Sequence, residues 1–420
     1  MTGLLRLLRR PAAGALAGQV TAALAGLVLQ AAAARWLGAE GLAAFALAYG
    51  AIVLATAVCS GLVGDSLTVL DRHDAGIRAG LHVGTVVVCV VAGSAGAVLG
   101  LATDVLPLWA GLLLGLAAAA FIIEDTLRRL LMAAGRWWSL PVVDLAGLLV
   151  SLTVLVLSHA TGGLTLASFV VALLAGQSAA AVVAWIAAPV GERPCGPWRR
   201  PDVRAVVGYG AWRAATQTVR PAALTLLRVF VVAGAGAAAY GPIEAARVYT
   251  APTLVLVTGL GSFLLPHFVT LRRVSPSAGL RVADRAAAGL TAGVGLIGVL
   301  AVVLLPWLGP LLTGGDYAVP VVAVVGWVGY AAASAVLVPY AGLASANGGQ
   351  RRVLALRLLE FGSLALVAPL LMVSAAGTVV WAPLILALGP ALAAVVVRQL
   401  VVLPIVREQQ PTPVREALPA

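Results

Sequence analysis

Runs of about twenty uncharged, largely apolar residues recur along this chain from end to end, and that repetition restricts the backbone more than any motif does. In hydrocarbon every N–H and C=O needs a partner within the chain, so a segment of this length crosses as an α-helix. Hydrophobic residues make up 61% of the 420 and charged residues only 10%, against about 25% charged in soluble domains. Dividing the length by the roughly 30 to 35 residues of a span and its turn predicts about a dozen helices and leaves no room for a soluble domain. They fall at residues 12–34, 42–68, 80–103, 106–131, 139–158, 163–189, 205–234, 241–270, 284–311, 318–344, 351–375 and 378–405. The start, with Arg6, Arg9 and Arg10 before an apolar run from Ala12, is taken as the first span rather than a signal peptide.

The net charge of +11 would suggest a nucleic-acid partner in a soluble protein. Here the charge is carried by short turns on one side: Arg72 and Arg78; Arg128, Arg129 and Arg136; Arg193, Arg199, Arg200 and Arg204; Arg272, Arg273, Arg281 and Arg285; Arg351 and Arg352. The opposite turns, near Gly38, Asp104, Gly162, Gly236, Gly315 and Ala376, contribute Arg35 alone. The positive-inside rule then puts both termini in the cytoplasm, agrees with an even number of spans, and removes any call for nucleic acid. All 27 basic residues are Arg, which with the Ala, Gly and Val excess points to a high-GC bacterial source and hence the inner membrane. Cys59, Cys89 and Cys195 are scattered, with neither disulfide nor metal spacing.

The polar stretch from Gly191 to Arg204 falls near the midpoint and holds three Pro, so it reads as a cytoplasmic linker between six-helix bundles at 1–190 and 205–420, the second with a short cytoplasmic tail. A shift of 198 residues lays Gly38, Gly61 and Leu62 on Gly236, Gly259 and Leu260 and places Gln30 on Arg228, as an internal duplication would.

Polar side chains inside the spans are costly and therefore informative. In the seventh, Arg213, Arg220 and Arg228 lie within about an 80° arc of one helix face. Thr216, Gln217 and Thr218 flank them, and Pro221 predicts a kink or break. A guanidinium at mid-depth calls for water, an acidic partner or an anionic cargo, and its planar fork suits phosphate. The eighth span holds Glu244 and Arg247 one turn apart, able to pair. Glu124, Asp125, Asp144, Glu244 and Glu360 are candidate counter-charges or proton or sodium sites, and Gln19, Thr21 and Gln30 are polar positions of the first span. Gly93, Gly96 and Gly100 predict close helix packing, and most of the ten Trp, such as Trp36, Trp109 and Trp307, read as interface anchors. No HExxH, GxSxG or Walker-type loop is present, the four His are isolated, and no polar loop is long enough for an enzyme's site, so neither catalysis nor a metal or other cofactor is expected.

The stretch Ala34-Arg35-Trp36-Leu37-Gly38-Ala39-Glu40-Gly41-Leu42-Ala43-Ala44-Phe45 resembles the junction between the first two helices of polysaccharide flippases, members of the multidrug/oligosaccharidyl-lipid/polysaccharide exporter superfamily. Leu227-Arg228-Val229-Phe230 with Gly236, Gly241, Glu244, Arg247 and Pro252 repeats the theme, and Ala344-Ser345-Ala346-Asn347-Gly348-Gly349-Gln350-Arg351 is similar to a later turn. The resemblance implies an all-α protein of two six-helix bundles related by a pseudo-two-fold axis, V-shaped around a central cavity. It implies that lipid-linked oligosaccharide is flipped by alternating access, its diphosphate held by cavity arginines. Arg228 and Arg247 match basic positions of that family; Arg213 and Arg220 are nominated on helical geometry alone. Gln19 and Gln30 stand where an arginine of the first helix would be expected to help. Membrane lipid and a glycan carrier would be partners, with glycosyltransferases or a polymerase as neighbours. The competing expectation is a cation-coupled multidrug or small-metabolite exporter. There the acids Glu124, Asp125, Asp144 and Glu360 form the primary site and the arginines serve as their partners.

Overall fold

A computed structural model describes residues 11–102, 107–194, 198–272, 276–347, 350–372 and 378–408. Arg6, Arg9, Arg10, Asp104, Cys195, Arg273, Gly348, Gly349 and Ala376, named above, lie outside the described residues. Among the described residues every regular element is helical: α1 (Pro11–Trp36), α2 (Gly38–Val69), α3 (Ala75–Ala102), α4 (Leu108–Ala133), α5 (Ser139–Gly162), α6 (Leu166–Ala187), α7 (Val203–Ala235), α8 (Ala237–Tyr249), α9 (Ala251–Arg272), α10 (Pro276–Thr313), α11 (Val321–Ala346), α12 (Gln350–Arg357), α13 (Leu359–Met372) and α14 (Val379–Arg407). Ten helices are long and apolar enough to cross a bilayer. The chain is a polytopic all-α membrane protein.

Ten of the twelve expected spans are found as such among the described residues, nine of them within about five residues, while α10 begins eight residues before the expected start of the ninth. The eighth and eleventh are each divided. The first division falls at Thr250, two residues before Pro252, which sits at the second position of α9. Proline has no N–H to extend α8, yet suits the first turn of a new helix. The second division is a single turn at Leu358. Conversely, the break expected at Pro221 is absent: α7 runs from Val203 to Ala235 with Pro221 inside it. Helices in lipid tolerate an internal Pro where polar side chains cover nearby carbonyls. Pro221 frees the Gln217 carbonyl, whereas the nearby hydroxyls of Thr216 and Thr218 donate to the Trp212 and Ala214 carbonyls, each at 2.9 Å.

By contact the chain separates into two compact units, one of residues 1–249, 305–320 and 371–379, the other of residues 250–304, 321–370 and 380–420. In the first unit glycine lets backbones touch. A Cβ on Gly100 would lie 2.5 Å from the Gly111 Cα, and one on Gly115 would lie 2.3 Å from the Gly93 oxygen, so α3 and α4 meet along the expected small-residue seam. A π-turn at Ser60–Gly64 inside α2 brings Gly61 against Ala214 and Gly64 against the Arg129 side chain. Such turns re-aim side chains within a helix and recur at functional sites. Gly38 and Gly236, superimposed by the sequence repeat, both take left-handed φ, +66° and +89°. The segment 305–320 is tied to the end of α1 by Arg35 donating to the Leu311 carbonyl and by Tyr317 donating to that of Ala34.

In the second unit α11 is the central element, its fully buried Trp327 making an edge contact with Tyr330 at 5.9 Å. Packing, not ligand stacking, accounts for that indole. Asp284 of α10 accepts from Tyr340 at 2.7 Å and from Arg398 at 3.4 Å.

Candidate functional site

Most of the polar residues singled out in sequence belong to the first unit, where they form three clusters. The first surrounds Asp65, at the end of α2 beyond the π-turn. Its Oδ2 accepts from Arg213 Nε at 2.7 Å and from Gln217 Nε2 at 2.9 Å, and Arg129 lies 3.3 Å from its Oδ1. Arg129 also holds Asp125 at 2.9 Å, one turn back on α4, and Ser60 donates to the same carboxylate. Arg213 is thus held by a protein acid from a helix 148 positions away in the sequence.

The second cluster is buried. Glu244, 1% exposed, takes Arg228 at 3.3 Å and Arg247 Nε at 2.8 Å on Oε1, while Tyr240 donates to Oε2 at 2.7 Å. Arg247 reaches Gln30 of α1, which anchors its own amide on the Gly26 carbonyl at 3.0 Å. The pairing of Glu244 with Arg247 is the one its one-turn spacing predicts. Arg228 is only 5% exposed, and its Nε makes no hydrogen bond. Arg220 is half-buried on the same helix.

The third cluster lines a pocket of about 140 Å³ among α1, α2, α4, α5 and α6. Asp144 is held there by Arg128 and by Thr21 Oγ1, which donates at 2.6 Å, while Arg128 also donates to the Gly18 carbonyl at 2.7 Å. Tyr49 forms part of the wall, stacked on Phe45 at 5.7 Å and edge-on to Phe121 at 5.9 Å. Two groups facing this space are unsatisfied. The Gln177 Oε1 is buried without a donor, and Glu124 makes no hydrogen bond or ion pair among the described residues.

Of the remaining expected positions, Glu360 belongs to the second unit, 2% exposed and paired with Arg357 at 2.9 Å. Gln19 is exposed on α1, and Thr216 turns back onto its own helix. Arg128 and Arg129, assigned above to a turn, are instead inside α4, which continues to Ala133, and they are the cations that hold Asp144, Asp125 and Asp65. Gln177 and Tyr49 carried no signal in the sequence, since each is a lone polar residue in an apolar run. Among the described residues no three His, Cys, Asp or Glu come together as a metal site would require.

No protein-family model matches the chain, and no curated protein matches it in sequence. Solved structures match it along nearly its whole length. One, the inward-facing conformation of a multidrug resistance MATE family transporter of the MOP superfamily, superimposes with a TM-score of 0.69 at 14% identity, covering 93% of this chain and 96% of that one. The outward-facing conformation of such a transporter gives 0.63 at 14% identity over 96% and 99% of the two chains. The eukaryotic MATE transporter AtDTX14 gives 0.63 at 11% identity over 97% of each. At such identities the likeness establishes the fold, and function has to be argued from the site. The chain has the all-helical membrane fold shared by these MATE structures.

Proposed function

We propose that this protein is a cation-coupled exporter of small organic solutes, with Glu124 as the group that binds the driving proton or sodium ion. One observation carries the reading. Inside the described spans Asp65, Asp125, Asp144, Glu244 and Glu360 each hold an arginine, whereas Glu124 holds none and lines a pocket whose wall also includes the unbonded Gln177 oxygen. A buried acceptor without a donor is unstable, and a half-buried carboxylate without a counter-charge is costly to keep ionised. A proton on Glu124 would neutralise its carboxyl, and a monovalent cation would supply the counter-charge that no arginine provides. Loading and unloading such a site changes the balance of charge in the bundle by one unit, which is what a coupled cycle requires.

The fold shared with multidrug transporters supports this reading. Of the acids expected to have arginine partners, Asp125, Asp144 and Glu360 are paired with Arg129, Arg128 and Arg357. Lipid-linked oligosaccharide flipping is a second reading. It draws on the buried, unbonded Arg228 Nε, which a cargo phosphate could engage. We further place the protein in a bacterial inner membrane, with both termini and the 191–204 segment cytoplasmic and that segment joining transport halves 1–190 and 205–420.

The test is ethidium efflux from proteoliposomes under an imposed proton or sodium gradient. Wild-type protein should transport only with one gradient, and Glu124→Gln should lose that dependence while inserting normally. Gradient-driven efflux undiminished in E124Q would refute the assignment. A wild-type chain that moves no ethidium but flips a labelled polyprenyl-diphosphate sugar would favour the second reading.

A further inference from the structure

A second pocket, of about 170 Å³, is lined by Ile123, Leu127 and Leu130 of α4 but not by Glu124, at the end of the first unit that carries the arginine-rich turns. Its body is apolar, built by Leu67 of α2, Leu81 of α3, Ile123 and Leu127 of α4 and Trp185 of α6. Its polar groups come from the α2–α3 turn, the start of α3 and the segment after α6. Arg72 forms a two-point pair with Glu192, Nε to Oε2 at 2.9 Å and Nη2 to Oε1 at 3.3 Å, so its charge is met. That pair holds the Glu192 carboxyl below the usual carboxylate range.

Arg78 differs. It donates to the backbone carbonyls of Gly191, at 3.0 Å, and of Arg193, and among the described residues it is ion-paired with no carboxylate. A guanidinium has five donors, so three remain unassigned. Beside it on α3, His82 has its ring 5.3 Å from that of Trp198, and its Nδ1 is buried with no hydrogen-bond partner. The space therefore combines an apolar body, one uncompensated cation and one orphan ring nitrogen.

We propose that this space is a binding site for a small apolar monocarboxylate, a single-ring or short branched acid, whose carboxylate lies between Arg78 and His82 while its body rests on Leu127 and Trp185. The charge matches a monoanion: with Arg72 already neutralised by Glu192, a dianion such as a phosphate ester would lack a second cation. The volume matches a single ring, since a cavity of about 150 Å³ holds benzene. Arg78 also fastens the 190–193 segment to α3, so occupancy of the site and docking of that segment share one side chain.

Benzoate is the probe, with benzamide as its neutral counterpart, titrated against the full chain in detergent and followed by saturation-transfer NMR. Wild-type protein should bind benzoate saturably and benzamide far more weakly. Arg78→Met and His82→Phe, which keep bulk and lose the polar atom, should each weaken benzoate by about tenfold to a hundredfold. Val86→Trp, placed on a wall residue that is itself 47% exposed, adds bulk to the space while keeping every polar group and should abolish binding. Glu124→Gln, the variant that decides the proposed function, should bind benzoate as wild type does, so the two ideas fail separately. No saturable binding, equal binding of benzamide, binding unchanged in all three cavity variants, or a co-purified phospholipid that native mass spectra show benzoate cannot displace would each overturn the proposal.

Discussion

Glu244 is the residue on which most of the buried charge depends. Two guanidinium groups and a phenol converge on its two oxygens, all within protein. Removing one member of a buried pair costs more than the pair contributes, about 3–5 kcal/mol, because the remaining charge is left without a counter-charge. Glu244→Gln should therefore lower the thermal unfolding temperature in detergent markedly. Adding Arg228→Met to it should restore part of the loss, since the double variant removes one of the stranded cations. A double variant no more stable than E244Q alone would mean that Arg228 is compensated elsewhere. Glu124 behaves oppositely. Its substitution by Gln removes no pair, so stability should hold while coupling is lost.

At the level of elements, the π-turn in α2 sets the Asp65 cluster. The extra residue in that turn advances Asp65 around the helix, and the glycines within it allow α7 and Arg129 to approach. A Cβ on Gly61 would stand 2.3 Å from the Ala214 backbone, so Gly61→Ala must push α2 and α7 apart. The expected cost is about 1–3 kcal/mol, read as a lower unfolding temperature, with loosening of the Arg213–Asp65 pair. Unchanged stability in that variant would show that α7 can shift without penalty. The helices that differ from expectation follow local chemistry. Pro252 ends α8 because an N–H is lacking where the helix would continue, whereas Pro221 is carried inside α7.

For the whole molecule, the asymmetry of arginine between alternate turns predicts topology. Reporter fusions after Arg136, in the 191–204 segment and at the C-terminus should all report the cytoplasm, and a fusion near Gly162 the opposite side. A cytoplasmic signal at Gly162 would invert the assignment.

How far sequence reaches differs between fold and site. The spans were legible because bilayer thickness imposes a length and hydrocarbon imposes the helix, both properties of a local window. The α3–α4 seam was legible from Gly93, Gly96 and Gly100, and the Glu244–Arg247 pair from its spacing, for the same reason. The partners of the α7 arginines were not. Asp65 is 148 residues from Arg213, and Gln30 is 217 from Arg247. Nor could any local pattern distinguish Glu124, which lacks a partner, from Asp125 beside it, which has one. Sequence by itself determined a helical membrane protein and nearly all of its spans. Which charges are answered, and which acid is left without an arginine among the described residues, was decided only by tertiary packing, because pairing depends on distances between helices that no single helix encodes.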